Sequence, residues 1–373
     1  MTCHVMVTGA AGFMGRNLCV RLGETGRHTV LKVTRATSAD ELHAMAAKAD
    51  VVIHLAGVNR PETEAEFAVG NADFTGTLCA ALAGTGRAIP VIAASSIQAE
   101  RDNPYGRSKR AGEAHLEAHA AATGAPVAIY RLVNVFGKWC RPQYNSVVGT
   151  FCHNIARDLP IQVNDPAAAL QLIHVDDAID CFLSWLDAPA PGLTRPVAGP
   201  VYDITLGALE ETLRGFRAMR ETHTAGPVGV GLGRALYATY VSYLPPADFA
   251  YPVKRHGDER GVFAEMLRTE QSGQFSFFTA GPGITRGGHY HHAKTEKFLV
   301  LKGHARFRFR QIDTGETHEI ETRGDQSLVV ETVPGWSHDI TNIGTDELIC
   351  MLWANELFDP NRPDTIAHSL EIE

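Results

Sequence analysis

Up to about residue 240, short apolar runs alternate with alanine-rich segments of helical period. HVMVTGA (4–10), TVLKVTR (29–35), DVVIHLAG (50–57), IPVIAASS (89–96) and VAIYRLVNVFG (127–137) read as strands. GRNLCVRLGETG, SADELHAMAAKA, NADFTGTLCAALAGTG and SKRAGEAHLEAHAAATG read as the helices between them. Strands apolar on both faces and separated by helices predict a parallel, doubly wound, Rossmann-like α/β sheet. The stretch 207–243 is again helical, and the proline-bearing YLPPADFAYP then breaks the pattern. From about residue 253 the period changes to two, in QFSFFTAG, EKFLVLKG, HARFRFRQI, QSLVVETV and ELICMLWA. Gly, Pro, Asn and Asp turns separate these runs, which predicts a small antiparallel barrel or sandwich. The expected organisation is an α/β domain over 1–245 and an all-β domain over 246–373.

Composition narrows the class. A chain of 373 residues is too long for one ordinary core, and 45% hydrophobic with 20% charged residues is a globular composition. The net charge of −8 and the lack of a long basic run argue against a nucleic-acid partner. Seven cysteines without a CxxC pair argue for reduced thiols in the cytoplasm. The first strand begins at His4, which leaves no room for a signal peptide, and no apolar run is long enough to span a membrane.

The loop TGAAGFMG joins the first strand to the first helix and carries Gly9, Gly12 and Gly15. Glycines there let backbone approach a pyrophosphate, whose charge the helix N-terminus favours. The second strand ends in Thr34 and Arg35, not in the acid that would suit a free ribose. Arg35 can pair with a 2′-phosphate, which favours NADP(H), although a solvated surface arginine would read the same way. NPYGRSKRAGE places Tyr105 and Lys109 four apart on one helix face. A phenol works as an acid or base near neutrality only with a depressed pKa, which a neighbouring ammonium would provide. Ser96, closing VIAASS, could hydrogen-bond the same substrate oxygen.

The order of glycine loop, strand-end serine and YxxxK resembles the extended short-chain dehydrogenase/reductase family, supported by HLAG (54–57), RLVNVFG (131–137) and IHVDDAID (173–180). The resemblance implies Tyr105 as proton donor, Lys109 on the nicotinamide ribose and Ser96 orienting the substrate oxygen. It also implies Phe13, Met14, Leu55 and Ala56 beside the cofactor, and Asn134 and Lys138 beside substrate. Asp176 and Asp177 would lie in a sugar-facing loop or cap a helix. Two stretches are shorter than in most relatives, between Ser96 and Tyr105 and between VTR and DVVIHLAG. No Asp-Glu pair follows Ser96, so ketone reduction is favoured over dehydration.

In the second half, GITRGGHYHHAKTEKFLVLKG (283–303) matches the first cupin motif, G-x5-HxH-x4-E-x6-G, position for position. His289 and His291 would share a strand face, Glu296 would return on the next strand, and His338 with Asn342 resembles the second motif. Three imidazoles and a carboxylate suit Zn2+, while Mn, Fe or Ni would also fit. The alternative is a polar, jelly-roll cupin interior that binds substrate without metal. DERGVFAE (258–265) and TRGGHYHH (285–292) resemble the deoxysugar 3,5-epimerase cupins. That likeness makes His289 the catalytic base, with Arg260 and Arg286 near a diphosphate or sugar. His289 is thus claimed as ligand and as base; if it is a ligand, the base lies among His291, Lys302 and Asp339. Arg306, Arg308 and Arg310 alternate with apolar residues, as on a solvated strand face.

Both halves together, with NVFGKWCRPQYNS, VETVPGWSHDITN and MLWANELFDPNRPDTI, resemble the bifunctional capsular-polysaccharide reductases of the UDP-N-acetyl-L-fucosamine pathway. The resemblance implies a UDP-linked amino-deoxysugar, UDP-2-acetamido-2,6-dideoxy-β-L-arabino-hexos-4-ulose, epimerised at C3 and then reduced at C4 by NADPH. A homodimer is expected with it. The alternative is a 4-ketoreductase whose cupin only binds or dimerises.

Overall fold

The computed structural model describes residues 3–253, 255–258, 261–264, 266–269, 273–356 and 359–370. Two compact units result, and they interleave along the chain. One takes Met1–Ser146 with Leu170–Ile204; the other takes Val147–Ala169 with Thr205–Glu373. The expected single cut at residue 245 does not coincide with this division.

The first unit is built on a six-stranded sheet, β1 (Cys3–Thr8), β2 (His28–Val33), β3 (Val51–His54), β4 (Val91–Ser96), β5 (Val127–Leu132) and β8 (Leu193–Thr194), in the order β2-β1-β3-β4-β5-β8. Every pairing is parallel. Alternate residues feed two cores, one on each face. Val5, Val7, Ile53, Ile92 and Tyr130 join Phe182 on one side, whereas Met6, Val52, Val91 and Ile129 join Leu78 and Leu82 on the other. Burial on both faces explains why the strands are continuous apolar runs. The order of connections reverses between β1 and β3, and in such sheets ligands bind at the carboxyl ends beside that reversal.

Helices cover the sheet: α1 (Phe13–Glu24), α2 (Ala39–Lys48), α3 (Phe74–Ala83), α4 (Pro104–Thr123) and α6 (Val175–Asp187). Local chemistry sets their ends. Ser38 and Glu41 form a capping box on α2. Asn103 accepts from Gly106 N at 2.8 Å ahead of Pro104, so α4 starts just before Tyr105. The run VAIYRLVNVFG is two strands and not one. β5 ends at Leu132, and β6 (Asn134–Phe136) joins β7 (Ala169–His174) and β9 (Tyr202–Thr205) in a separate sheet.

In the second unit the stretch 207–243 forms two helices, α7 (Leu206–Thr222) and α8 (Gly231–Val241), beside α5 (Val147–Ile155). The break comes at His223, left-handed at φ 53°, with Gly226 and Pro227 close behind. The all-β part holds β10 (Ala250–Pro252), β11 (Gln274–Ala280), β12 (Thr285–Tyr290), β13 (Glu296–Lys302), β14 (His304–Gln311), β15 (Thr317–Arg323), β16 (Leu328–Glu331), β17 (Trp336–Asn342), β18 (Leu348–Ala354) and β19 (Ile366–Ala367). They form two five-stranded sheets, β10-β16-β13-β18-β11 and β15-β14-β17-β12-β19. Every pairing within both is antiparallel. Their inner faces meet through rings, with Phe298 of β13 at 5.8 Å from Phe307 of β14 and 6.3 Å from His338 of β17. Among the described residues, no helix is long and apolar enough to cross a membrane.

Candidate active site and candidate metal centre

The loop after β1 is shaped by close backbone approach. Gly9 has φ +68°, and a Cβ there would lie 2.7 Å from Ala56 N; one on Gly15 would lie 2.1 Å from Gly9 O. Gly12 caps α1 in extended backbone without a side-chain hydrogen bond, so the helix's first amides keep their capacity for an anion. Leu55 N donates to Thr8 O at 3.2 Å, and Ala56 N donates to Thr8 Oγ1 at 3.2 Å. Leu55 and Ala56 therefore stand beside the glycine loop, where a cofactor would bind, while Phe13 and Met14 pack partly into the core. Arg35 is exposed two residues past Val33, whose carbonyl accepts from Ala10 N at 3.2 Å.

Ser96 ends β4 on the same edge of the parallel sheet. Its hydroxyl accepts from Gln98 N at 3.2 Å. Burial raises the Tyr105 pKa, with Ser96 working the other way. The anticipated depression of this phenol by Lys109 is thus not what the protein alone displays. Lys109 instead donates to Ala94 O at 3.0 Å, and burial lowers its own pKa to about 8 against the opposing pull of Glu113. Sequence reasoning missed Asn71, which is buried. It bridges Val58 N, Val58 O and Ser108 Oγ, all at 2.9 Å, and so ties the strand-end loop after β3 to α4. A π-helical turn over Ala68–Asp73 presents it, a distortion that often accompanies functional sites.

Of the expected substrate residues, Asn134 is exposed and donates to Gln171 O at 3.0 Å. Lys138 is 2% exposed, with its ammonium 3.1 and 3.3 Å from the Asp176 carboxylate. Asp176 accordingly lies in the first turn of α6 as the partner of a buried lysine. Arg260 lies outside the described residues.

The second unit brings His289, His291, Glu296 and His338 together, one ligand atom from each falling within 4.8 Å of the others. The ring centroids lie 4.8 Å apart for His289 and His338, 5.0 Å for His289 and His291, and 5.3 Å for His291 and His338. Glu296 Oε2 is 3.1 Å from His291 Nε2 and 3.5 Å from His338 Nε2. Burial alone would raise the Glu296 pKa, but His291 and His338 hold it well below the usual carboxylate range. Burial and the neighbouring His338 and His291 lower the His289 pKa to about 3, which keeps that ring neutral with a lone pair free to coordinate or take a proton. An ionised carboxylate among convergent imidazoles is the donor chemistry of a divalent cation site, zinc foremost.

Strand register decides the other candidates. Arg308 pairs with Asp339 and Phe309 with His338 across β14 and β17. Directly opposed residues share a face. His338 therefore faces inward with buried Phe309, while Asp339 faces out and binds Arg308 at 2.6 and 3.0 Å. Arg308 is thus a structural partner rather than a freely solvated residue. Lys302 is exposed at the far end of β13 from Glu296. Neither Asp339 nor Lys302 reaches the cluster's face. A bulge between Gly287 and His289 sets Arg286 against Ile340 and His289 against His338, so both face inward. Arg286 lies 5.2 Å from the ring of Phe278. Gly287 and Gly288, at φ 100° and 74°, supply backbone that other residues rarely adopt.

A model of the NAD dependent epimerase/dehydratase family matches residues 5–199, and one of the polysaccharide biosynthesis C-terminal domain matches 256–366. The UDP-2-acetamido-2,6-beta-L-arabino-hexul-4-ose reductase of Pseudomonas aeruginosa is 55% identical over 366 residues, covering 98% of both chains. The crystal structure of the capsular polysaccharide assembling protein CapF from Staphylococcus aureus matches at a TM-score of 0.68 and 41% identity, over 98% of this chain and 99% of that one. The NAD complex of a Bacillus cereus UDP-glucuronic acid 4-epimerase, 18% identical, shares the fold of the first part at a TM-score of 0.51, over 58% of this chain and 84% of that one. The chain therefore belongs to the NAD dependent epimerase/dehydratase family and, across its whole length, to the two-domain capsular-polysaccharide reductases in which such a domain precedes a polysaccharide biosynthesis C-terminal domain.

Proposed function

We propose that the chain is a bifunctional nucleotide-sugar enzyme. Its cupin-like part inverts C3 of UDP-2-acetamido-2,6-dideoxy-β-L-arabino-hexos-4-ulose, and its Rossmann-like part reduces the C4 ketone to UDP-2-acetamido-2,6-dideoxy-β-L-talose. The observation that carries the reading is the 55% identity, end to end, with a reductase named for that 4-keto sugar. The epimerase half is supported by the inward-facing set of His289, His291, Glu296 and His338 with Arg286.

In the reductase half, Gly9, Gly12 and Gly15 would hold the pyrophosphate of NADP(H) and Arg35 its 2′-phosphate, with Leu55 and Ala56 alongside. When bound, NADPH supplies the hydride for C4. Tyr105 Oη delivers the proton to the C4 oxygen, Ser96 orients that oxygen, and Lys109 binds the nicotinamide ribose. In the other half, His289, His291, Glu296 and His338 would hold a divalent cation, zinc by their chemistry, which when bound would polarise the C4 carbonyl. The C3–H is acidic because its carbanion delocalises onto that oxygen; a base outside the four ligands removes the proton, and one is returned to the opposite face of C3. Arg286 binds the sugar or diphosphate. The working form is a homodimer in the cytoplasm; Phe275 and Phe277, 45% and 71% exposed on edge strand β11, offer an apolar edge for a second copy.

Incubating the protein with the 4-keto substrate in D2O without NADPH tests the assignment. Deuterium at C3 is the expected result. No exchange, with NADPH-dependent reduction intact, would reduce the second half to a binding or dimerisation module.

A further inference from the structure

Asp364 lies 68 residues beyond Glu296, yet both its carbonyl and its carboxylate are spent on the segment between the cluster's first ligands. Its carbonyl accepts from His291 Nδ1 at 2.6 Å. One carboxylate oxygen accepts from His292 N at 2.9 Å; the other accepts from Ala293 N at 2.9 Å and Lys294 N at 2.8 Å. Those three successive amides form the connection that leads from His291 to Glu296. The residue adopts a left-handed φ of 39°, a conformation that persists only where the surroundings over-determine it. Arg234 of α8 reaches the same carboxylate at 3.5 Å and Glu356 at 2.7 Å, so the grip is anchored to a helix. Residues after Asp364 continue it. Thr365 Oγ1 accepts from Lys294 Nζ at 2.8 Å, β19 pairs with His289 and Tyr290, and His368 O accepts from Ser337 Oγ at 2.7 Å.

We propose that Asp364 is a positioning residue of the metal centre. Its carbonyl fixes the His291 ring with Nδ1 as donor, which leaves Nε2 to face the ligand cluster. Its carboxylate fixes the turn that sets the spacing from His291 to Glu296. The inference rests on the reading of the cluster as a cation site. Outer-shell groups that orient a ligating histidine typically contribute about 10- to 100-fold in metal affinity. Asparagine cannot replace the aspartate, because its amide nitrogen would point a donor at one or more of the three amides.

The test is zinc affinity by chelator competition on the full chain, for the unaltered protein, Asp364→Asn, Asp364→Ala and Glu296→Gln, with melting of each zinc-free form alongside. Both Asp364 variants should bind zinc about 10- to 100-fold more weakly, while zinc-free Asp364→Asn still melts in one cooperative transition. Unchanged zinc affinity overturns the proposal. So does a zinc-free form of both variants that fails to fold, since the role is then structural. If the unaltered chain binds no zinc, the cation reading fails and the proposal with it. If it binds zinc and loses it in Glu296→Gln but not in the Asp364 variants, only the proposal fails.

Discussion

Lys109 illustrates what one buried charge asks of a fold. Its carbonyl partner at Ala94 is neutral, and burial lowers its pKa from 10.5 to about 8. Between those values the unfolded chain holds a proton that the folded chain has released, so stability should rise with pH from about 8 to 10.5 and be lowest below that window. At pH 7 the ammonium is a cost of folding. Lys109→Met should therefore stabilise the cofactor-free protein by about 1–3 kcal/mol at pH 7 while slowing reduction at least ~100-fold. Guanidinium melts and NADPH turnover check it; a lower midpoint would show that the charge is well solvated where it sits. At this scale the sequence was legible where residue type and spacing bring side chains together, as for His289, His291, Glu296 and His338. It was not legible where a residue's role depends on its partner. Lys138 sits beside a substrate-like motif but is claimed by Asp176, and Asn71 and Asp364 belong to no motif that spacing reveals.

At the scale of elements, β12 shows how a single extra residue chooses a face. Three positions separate Arg286 from His289, and in a regular strand they would point oppositely. The bulge at Gly287–Gly288 removes that offset, giving Arg286 the face of Ile340 and His289 the face of His338. Alternating polarity predicted a strand here but could not register the bulge, because pairing with β17 defines it. Replacing Gly287 and Gly288 by valine, which does not tolerate their positive φ, should force regular pairing and separate the two side chains onto opposite faces. The double variant should lose zinc binding by chelator competition and C3 exchange in D2O, yet keep reduction of a supplied, already epimerised ketone. Retained exchange would mean that the bulge does not organise the site. Similar reasoning explains why β13 carries opposite chemistries on neighbours. Glu296 faces the cluster, whereas Lys297 faces α7 and α8, buried with Glu331, which also binds Arg220 at 2.8 Å and Tyr237 Oη at 2.9 Å. Such a buried charge set is costly to break by removing one member, about 3–5 kcal/mol.

At the scale of the whole molecule, chain order and compact units part company. Local periodicity located the helical stretch that forms α7 and α8, but not which core it joins. Long-range contacts decide that: Phe216 meets Tyr237 at 5.1 Å, and Arg220 and Tyr237 meet Glu331, so these helices belong with the all-β part. The two proposed chemistries remain ordered whatever the division, because reduction removes the carbonyl that makes C3–H acidic. An epimerised ketone is a stable compound with no bond to the protein, so it can leave one chain and enter another. Tyr105→Phe should then still exchange C3 in D2O but form no talose product, and Glu296→Gln should reduce a supplied epimerised ketone but form no product from the unepimerised one. Mixed, with NADPH and the unepimerised substrate, the two variants should form the talose product after a lag that shortens as either is added. Product followed by NMR decides it. If each variant retains its own half-reaction and the mixture yields nothing, the intermediate is handed on within one molecule without release.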